Sequence, residues 1–267
     1  MSREKTRGLF SYFPAVILLL ALFPLQLRAA DTPAPQTLHV AVASNFLFPL
    51  KQLAKKFRQE TKIDLIISSG STGTLYAQIS NGAPFDVFLA ADENRPQLLV
   101  DKGFAVKDSL ITYAHGQIIL WGNDKQLLTP KETRQCLSNL EHSGRLAIAN
   151  PQIAPYGKAA MESLQNLSLW KKIKPRTVYG NNIAHTFLLV HTGNVDFGIV
   201  ALSEYLRMGQ QRPGCIWPIS DQYHSPLEQQ AVILKRTTKN TIARIFMTFL
   251  TNEETRKTLK DLGYGKR

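Results

Sequence analysis

Hydroxyls, carboxamides and glycines gather at four places in this chain of 267 residues. The first is Ala43-Ser44-Asn45-Phe46. The second is Ser68-Ser69-Gly70-Ser71-Thr72-Gly73-Thr74. The third is Asn150-Pro151-Gln152-Ile153-Ala154-Pro155-Tyr156-Gly157, and the fourth Gly180-Asn181-Asn182-Ile183. Such residues supply O–H and N–H donors and almost no charge. Where they open a helix, its first unpaired N–H groups and about half a positive charge at its N-terminus join them. Glycine lets backbone donors curl round a small oxyanion. Four such places together could hold a dianion without Arg or Lys. Each one alone reads more simply as a helix cap, because Ser, Thr and Asn are the usual capping residues. The second is not a nucleotide-binding loop, since no Gly-Lys-Ser/Thr follows it.

Residues suited to catalysis are more scattered. His39 lies in an apolar run, and His115, His142, His185, His191 and His224 are dispersed. His185 and His191 are six apart, so they do not share a helical face. No H-E-x-x-H or G-x-S-x-G pattern occurs. Asp86 and Asp92 flank one apolar run and could act as acid and base, although Asp92 reads more simply as a helix cap.

The elements that must carry these residues alternate. Apolar runs predict strands at 38–43, 63–67, 85–90, 117–121, 146–149, 196–200 and 230–234. Helical spacing predicts helices around 50–57, 74–81, 158–167, 182–191 and 241–250. This βα order implies an α/β protein with mainly parallel sheets. In such sheets ligands bind beyond the carboxyl ends of strands, and all four polar junctions sit there.

Composition narrows the setting. With 44% hydrophobic and 19% charged residues the chain is globular, too apolar for a disordered one. Arg3, Lys5 and Arg7 precede an apolar run from Phe13 to Leu27, which is interrupted by Pro14 and Pro24 and followed by Arg28-Ala29-Ala30. This reads as a secretory signal peptide over residues 1–30, cut after Ala29 or Ala30. A membrane anchor is the rival, but the run is short of the roughly 20 residues that span a bilayer. No Cys near the cut invites a lipid. Export would expose Cys136 and Cys215 to an oxidising compartment, where they either pair or remain two buried thiols. The pairing is the favoured reading, closing a loop of about 80 residues for roughly 3–5 kcal/mol in the chain-entropy picture. The net charge of +12 modestly favours anions. Basic residues occur only as pairs such as Lys55-Lys56 and Lys171-Lys172, with no nucleic-acid-binding pattern.

Val42-Ala43-Ser44-Asn45-Phe46, the Ser68–Thr74 loop with Tyr76-Ala77-Gln78-Ile79, Asn81-Gly82-Ala83-Pro84-Phe85-Asp86-Val87-Phe88 and the Asn150–Gly157 loop resemble the molybdate-binding periplasmic proteins of ABC transporters. The resemblance extends from Leu38 to Tyr264. It implies a class II periplasmic-binding-protein fold of two α/β lobes, each a mainly parallel sheet flanked by helices, with the ligand cleft between them. Residues 31–113 and 230–267 would form the first lobe and 114–229 the second, with crossings near Tyr113 and Gln229. Ser44, Asn45, Ser71, Thr72, Tyr156 and Ile183 fall at the family's ligand positions, the last two through their backbone N–H. Some relatives add a tyrosine where this chain has Ala201, and Asn45 would replace that contact. The implied ligand is molybdate or tungstate, with no cofactor, no direct metal-cation ligand and no catalysis. The implied partner is a membrane permease, for a monomeric periplasmic protein. A donor-only site disfavours monohydrogen phosphate, whose proton needs an acceptor. Sulfate or thiosulfate remains an alternative, as do a secreted hydrolase using an Asp–His pair and a structural secreted domain.

Overall fold

The computed structural model describes residues 36–123, 131–132, 134–142, 144–209 and 214–265. The expected leader at 1–30 lies outside them. The chain runs through β1 (Thr37–Ala43), a 3-10 turn (Ser44–Phe46), α1 (Leu47–Thr61), β2 (Asp64–Gly70), α2 (Thr72–Ser80), β3 (Val87–Leu89), α3 (Asn94–Asp101) and β4 (Ile111–His115). There follow β5 (Ile118–Gly122), β6 (Lys131–Glu132), α4 (Arg134–His142), β7 (Leu146–Ala149), α5 (Pro155–Asn166), α6 (Trp170–Ile173), β8 (Thr177–Gly180) and α7 (Ile183–His191). The last elements are β9 (Phe197–Ala201), α8 (Leu202–Leu206), β10 (Cys215–Pro218), β11 (Glu228–Ile233), α9 (Asn240–Thr251) and α10 (Glu253–Asp261).

These strands form two sheets, ordered β2-β1-β3-β11-β4 and β6-β10-β5-β9-β7-β8. Both carry helices, the α/β architecture expected from the sequence. The pairing is more mixed than the βα order suggested. β11 runs antiparallel to β3 and β4, and β5 runs antiparallel to β10 and β9. These are the strands next to the passages between sheets. The chain leaves the first sheet between His115 and Ile118 and returns between Pro218 and Glu228, so a strand can enter in either direction.

Each sheet is covered on both sides, which explains strands that are apolar throughout rather than alternating. β1 turns Leu38, Val40 and Val42 to one core and Ala41 to another. On the first side Phe57 of α1 packs edge-on against Phe246 of α9, with ring centroids 5.3 Å apart. In the second sheet Ile118 and Leu120 of β5 face one core, and Ile119 and Trp121 the other. No helix among the described residues is long and apolar enough to cross a membrane.

Cys136 on α4 and Cys215 on β10 form a disulfide with Cα atoms 5.4 Å apart and a sequence separation of 79. The pairing favoured from export is therefore present. Replacing both cysteines by alanine should remove about 3–5 kcal/mol. At about 2–4 °C per kcal/mol for a chain this long, the melting temperature should fall by on the order of 10 °C in scanning calorimetry.

Candidate functional site

Strand register brings the four polar junctions together in pairs. In the first sheet Ala43 of β1 lies opposite Gly70 of β2, so both strands end at one level. The turn at Ser44 and the start of α2 leave side by side. In the second sheet Ala149 of β7 lies opposite Gly180 of β8, and the loops to α5 and α7 leave together. All four loops border one hollow, lined by Ser44, Asn45, Ser71, Thr72, Tyr156, Asn182 and Ile183, with Ala43, Gly70, Ala91, Ala154 and Pro155 completing the wall. The six residues singled out from the sequence are all among these. The hollow is narrow: the centre of a water-sized sphere has about 10 Å³ in it, roughly what one bound water needs.

Its lining offers donors. α5 begins at Pro155 and α7 at Ile183, so the N–H groups of Tyr156 and Ile183 lie in first turns and have no acceptor four residues back within the helix. Gly157 lets α5 sit this close to its strand. A Cβ there would fall 2.0 Å from the Ala149 carbonyl oxygen, which no side chain tolerates. Asn182 caps α7 by accepting from the His185 N–H at 2.9 Å. Ser71 caps α2, its Oγ accepting from the Thr74 N–H at 3.2 Å. Thr72 Oγ1 accepts from the Ala91 N–H at 3.1 Å, which leaves its own proton to give. The Ser44 hydroxyl, 5% exposed, has no hydrogen-bond partner among the described residues. Ala201 ends β9 and brings no hydroxyl.

No acid, base or histidine lines the hollow. Asp86 is buried under the first sheet, accepting from His39 N–H at 2.8 Å and Thr237 Oγ1 at 2.6 Å. Asp92 accepts from the Arg95 N–H at 3.1 Å and pairs with the Arg95 guanidinium, a helix-end role. His185 accepts from the Asn181 N–H at 3.2 Å, and His191 stacks on Phe187. The Asp–His pair that a hydrolase would need is not assembled here. Among the described residues no three His, Cys, Asp or Glu cluster as metal ligands. A larger groove of about 340 Å³ runs alongside, but Asp92, Glu93 and Glu162 alternate there with Arg95 and Lys158. It is not a donor-only surface.

Three features were not anticipated from sequence. Behind the hollow, fully buried Gln229 accepts from Asn45 Nδ2 at 2.8 Å and donates to the Tyr156 hydroxyl at 3.0 Å. Tyr113 and Tyr264 complete this cluster. Burial pushes the pKa of all three phenols, Tyr113, Tyr156 and Tyr264, above the ordinary value, so they stay neutral. A polar Gln before the apolar run Ala231-Val232-Ile233 was the signal available in sequence.

The other two join the elements of one sheet to those of the other. On one flank Gly73 donates its N–H to the Ile153 carbonyl at 2.8 Å, and Arg95 Nη2 reaches the Gln152 carbonyl at 3.2 Å. On the other flank the Arg207 guanidinium lies 5.5 Å from the ring centres of both Phe48 on α1 and Phe187 on α7. Nothing local in the sequence announces either contact.

Glu204 Oε2 accepts from Arg207 Nε at 2.9 Å. Burial raises its carboxyl above the usual range, with Arg207 opposing the shift. The folded form therefore holds this proton more tightly than the unfolded form, and stability drains away as pH rises through the raised value. Glu204→Gln should raise the melting temperature at pH 7. The gain should shrink as the pH falls from the raised value toward the ordinary carboxyl value, and be gone below it. Equal gains at pH 7 and in acid would sink this reading.

A family model described as bacterial extracellular solute-binding protein matches residues 38–265. Molybdate-binding protein ModA of Azotobacter vinelandii is 38% identical over 226 residues, 85% of this chain and 88% of that protein. Molybdate-binding protein ModA of Rhodobacter capsulatus is 35% identical over 224 residues, 84% of this chain and 86% of that protein. The solved structure of the Azotobacter vinelandii periplasmic molybdate-binding protein superposes with a TM-score of 0.80 at 38% identity, covering 86% of this chain and 99% of that one. The sulfate-binding protein SubI from Mycobacterium tuberculosis, at 12% identity and a TM-score of 0.68 over 86% of each chain, shares the fold alone.

Proposed function

The chain belongs to the bacterial extracellular solute-binding proteins, and from that membership we propose that it captures molybdate and delivers it to the permease of an ABC transporter. The observation that carries this is the hollow itself: four loop ends, rich in O–H and N–H donors and free of charged side chains, surround a space of a few atoms. Ser44, Asn45, Ser71 and Thr72 would bind from the first sheet's loops. Tyr156 and Ile183 would bind through their backbone N–H groups. A fully deprotonated tetrahedral dianion suits such a set. Tungstate has the same charge and shape and would be taken as well. Sulfate would be discriminated by size, and phosphate by its proton.

Residues 31–113 with 230–267, and 114–229, would move as two lobes about the crossings beside Tyr113 and Gln229, closing on the ion by a hinge. The leader at 1–30 would send the protein to the periplasm, where it would act as a monomer without cofactor or catalysis. Capture would be submicromolar, more favourable than about −8 kcal/mol.

Titration calorimetry with molybdate, tungstate, sulfate and phosphate tests this. Heat with molybdate and tungstate, and little with the other two, is expected. Absent molybdate binding, or tighter sulfate binding, rejects it. Thr72→Ala should weaken molybdate capture by about 1–3 kcal/mol, the worth of one hydrogen bond to a charged group, whereas Thr72→Ser should stay close to wild type. Unchanged affinity in the alanine variant removes Thr72 from the site.

A further inference from the structure

Asn45, Gln229 and three tyrosines share one buried polar cluster behind the hollow. With Asn45 Nδ2 turned to Gln229 Oε1 at 2.8 Å, Asn45 Oδ1 is buried and has no partner among the described residues. Tyr113, which owns a single O–H, then faces two acceptors, the Ala90 carbonyl at 3.0 Å and Gln229 Oε1 at 3.1 Å. Tyr156 accepts from Gln229 Nε2 at 3.0 Å, and its own proton goes to no acceptor among the described residues. Three polar groups are therefore ill served at once.

Turning both carboxamides by 180° leaves the heavy atoms in place and serves all three, giving up only the long bond from Asn45 Nδ2 to the Tyr264 hydroxyl at 3.4 Å. Oxygen and nitrogen of an amide differ little in shape, so the hydrogen-bond network alone selects between the two settings. In the turned setting the two N–H groups of Gln229 go to Asn45 Oδ1 and to the Tyr113 oxygen. Tyr113 keeps the Ala90 carbonyl, and Tyr156 donates to Gln229 Oε1. Asn45 Nδ2 then takes the place of the orphaned oxygen, on the side of the amide away from Gln229, and Asn45 is a lining residue of the hollow. An amide oxygen there would repel an oxyanion, whereas an NH₂ donates to it.

We infer that Gln229 is the positioning residue that turns the Asn45 NH₂ toward the bound anion. It does so without touching the ligand itself. The inference rests on the oxyanion reading of the hollow. It also gives the Asn45 setting a reach beyond one loop. Gln229 is on β11 of the first sheet, and Tyr156 is on α5 above the second, so the donor is fixed by both halves of the site together.

The test is a double-mutant cycle read by calorimetry with molybdate, joined to side-chain amide ¹⁵N spectra of the wild type. Gln229→Met should weaken binding at least about tenfold, the worth of a charge-assisted bond. In an Asn45→Ala background the same change should cost next to nothing, because Gln229 acts only through Asn45. Gln229→Glu, which offers acceptors alone when ionised, should be weaker still. In the wild type, molybdate should shift the Asn45 amide signal and protect its protons from exchange; the signal is assigned by its loss in Asn45→Ala. This readout stands even if the Gln229 variants fail to fold. Equal costs of Gln229→Met in both backgrounds, or an Asn45 signal indifferent to molybdate, overturns the inference alone. Wild-type protein that takes no molybdate fails the oxyanion reading and this inference with it.

Discussion

Ile183→Pro is expected to weaken molybdate capture about 10- to 150-fold while the protein still folds, an effect of one charge-assisted hydrogen bond at about 1.5–3 kcal/mol. Ile183 is the first residue of α7. Its N–H has no place in the helical ladder, and proline is well tolerated at that position. Asn182 before it is extended, with φ −159° and ψ 177°, the region a residue preceding proline prefers. The cap from Asn182 to His185 does not involve residue 183. Proline therefore deletes one donor from the hollow and little else. The lost packing of a side chain only 3% exposed should cost modest stability, visible in the melting temperature. Ile183→Val keeps the N–H and should bind nearly as the wild type does. Calorimetry on the pair decides the matter: proline and valine variants of equal affinity would show that the N–H of residue 183 is not a ligand donor.

Gly73→Val is expected to weaken capture about 30- to 1,000-fold by a different route. Overpacking typically costs about 1–3 kcal/mol and the lost hydrogen bond about 1 more. A Cβ on Gly73 would lie 2.9 Å from the Ile153 carbonyl oxygen and 3.0 Å from its Cα. These are backbone atoms, and they cannot step aside as a flexible side chain would. Valine would push the loop before α5 away and carry Tyr156 with it. The position is helical within α2, and glycine is the poorer residue there by up to about 1 kcal/mol. If the two proposed lobes part without ligand, the clash is escaped there, and the unliganded protein should melt no lower than wild type. The measurement is calorimetry beside small-angle scattering, with wild type contracting on molybdate and the variant not. A variant that contracts and binds normally would show that the Gly73–Ile153 contact does not accompany capture.

Much of this could be read from the chain because it is local. Apolar runs marked β1, β2, β3, β5, β7, β9 and β11, all but the edge strand β2 largely buried. The four donor loops were visible because a capping residue and the helix it starts are neighbours in sequence. α5 starts at Pro155, earlier than helical spacing suggested, because proline fits the first turn. The strands that escaped are short or half polar: β4 with Thr112 and His115, β6 with two residues, β8 with its exposed Tyr179, and β10, which ends in Pro218. α10 escaped because it is almost wholly polar and buries only Thr255 and Leu259. At the site, what could not be read spans long stretches of chain. Asn45 meets Gln229 across 184 residues, and Gly73 meets Ile153. Arg207 between Phe48 and Phe187 is a product of folding, and no spacing rule encodes it.

The place of β11 between β3 and β4 has a consequence for how the molecule comes into being. Chains are made from the amino end. β3 and β4 are thus complete long before the strand that must separate and bridge them exists, and the whole second sheet is synthesised in the interval. Until β11 arrives, two bare edges wait side by side, open to mispairing and to capture by other unfinished chains. The last seventh or so of the polypeptide, from Glu228 on, is therefore the keystone of the first-made half. A nascent chain stalled before Glu228 should remain sticky and unable to mature, however well its second sheet has formed.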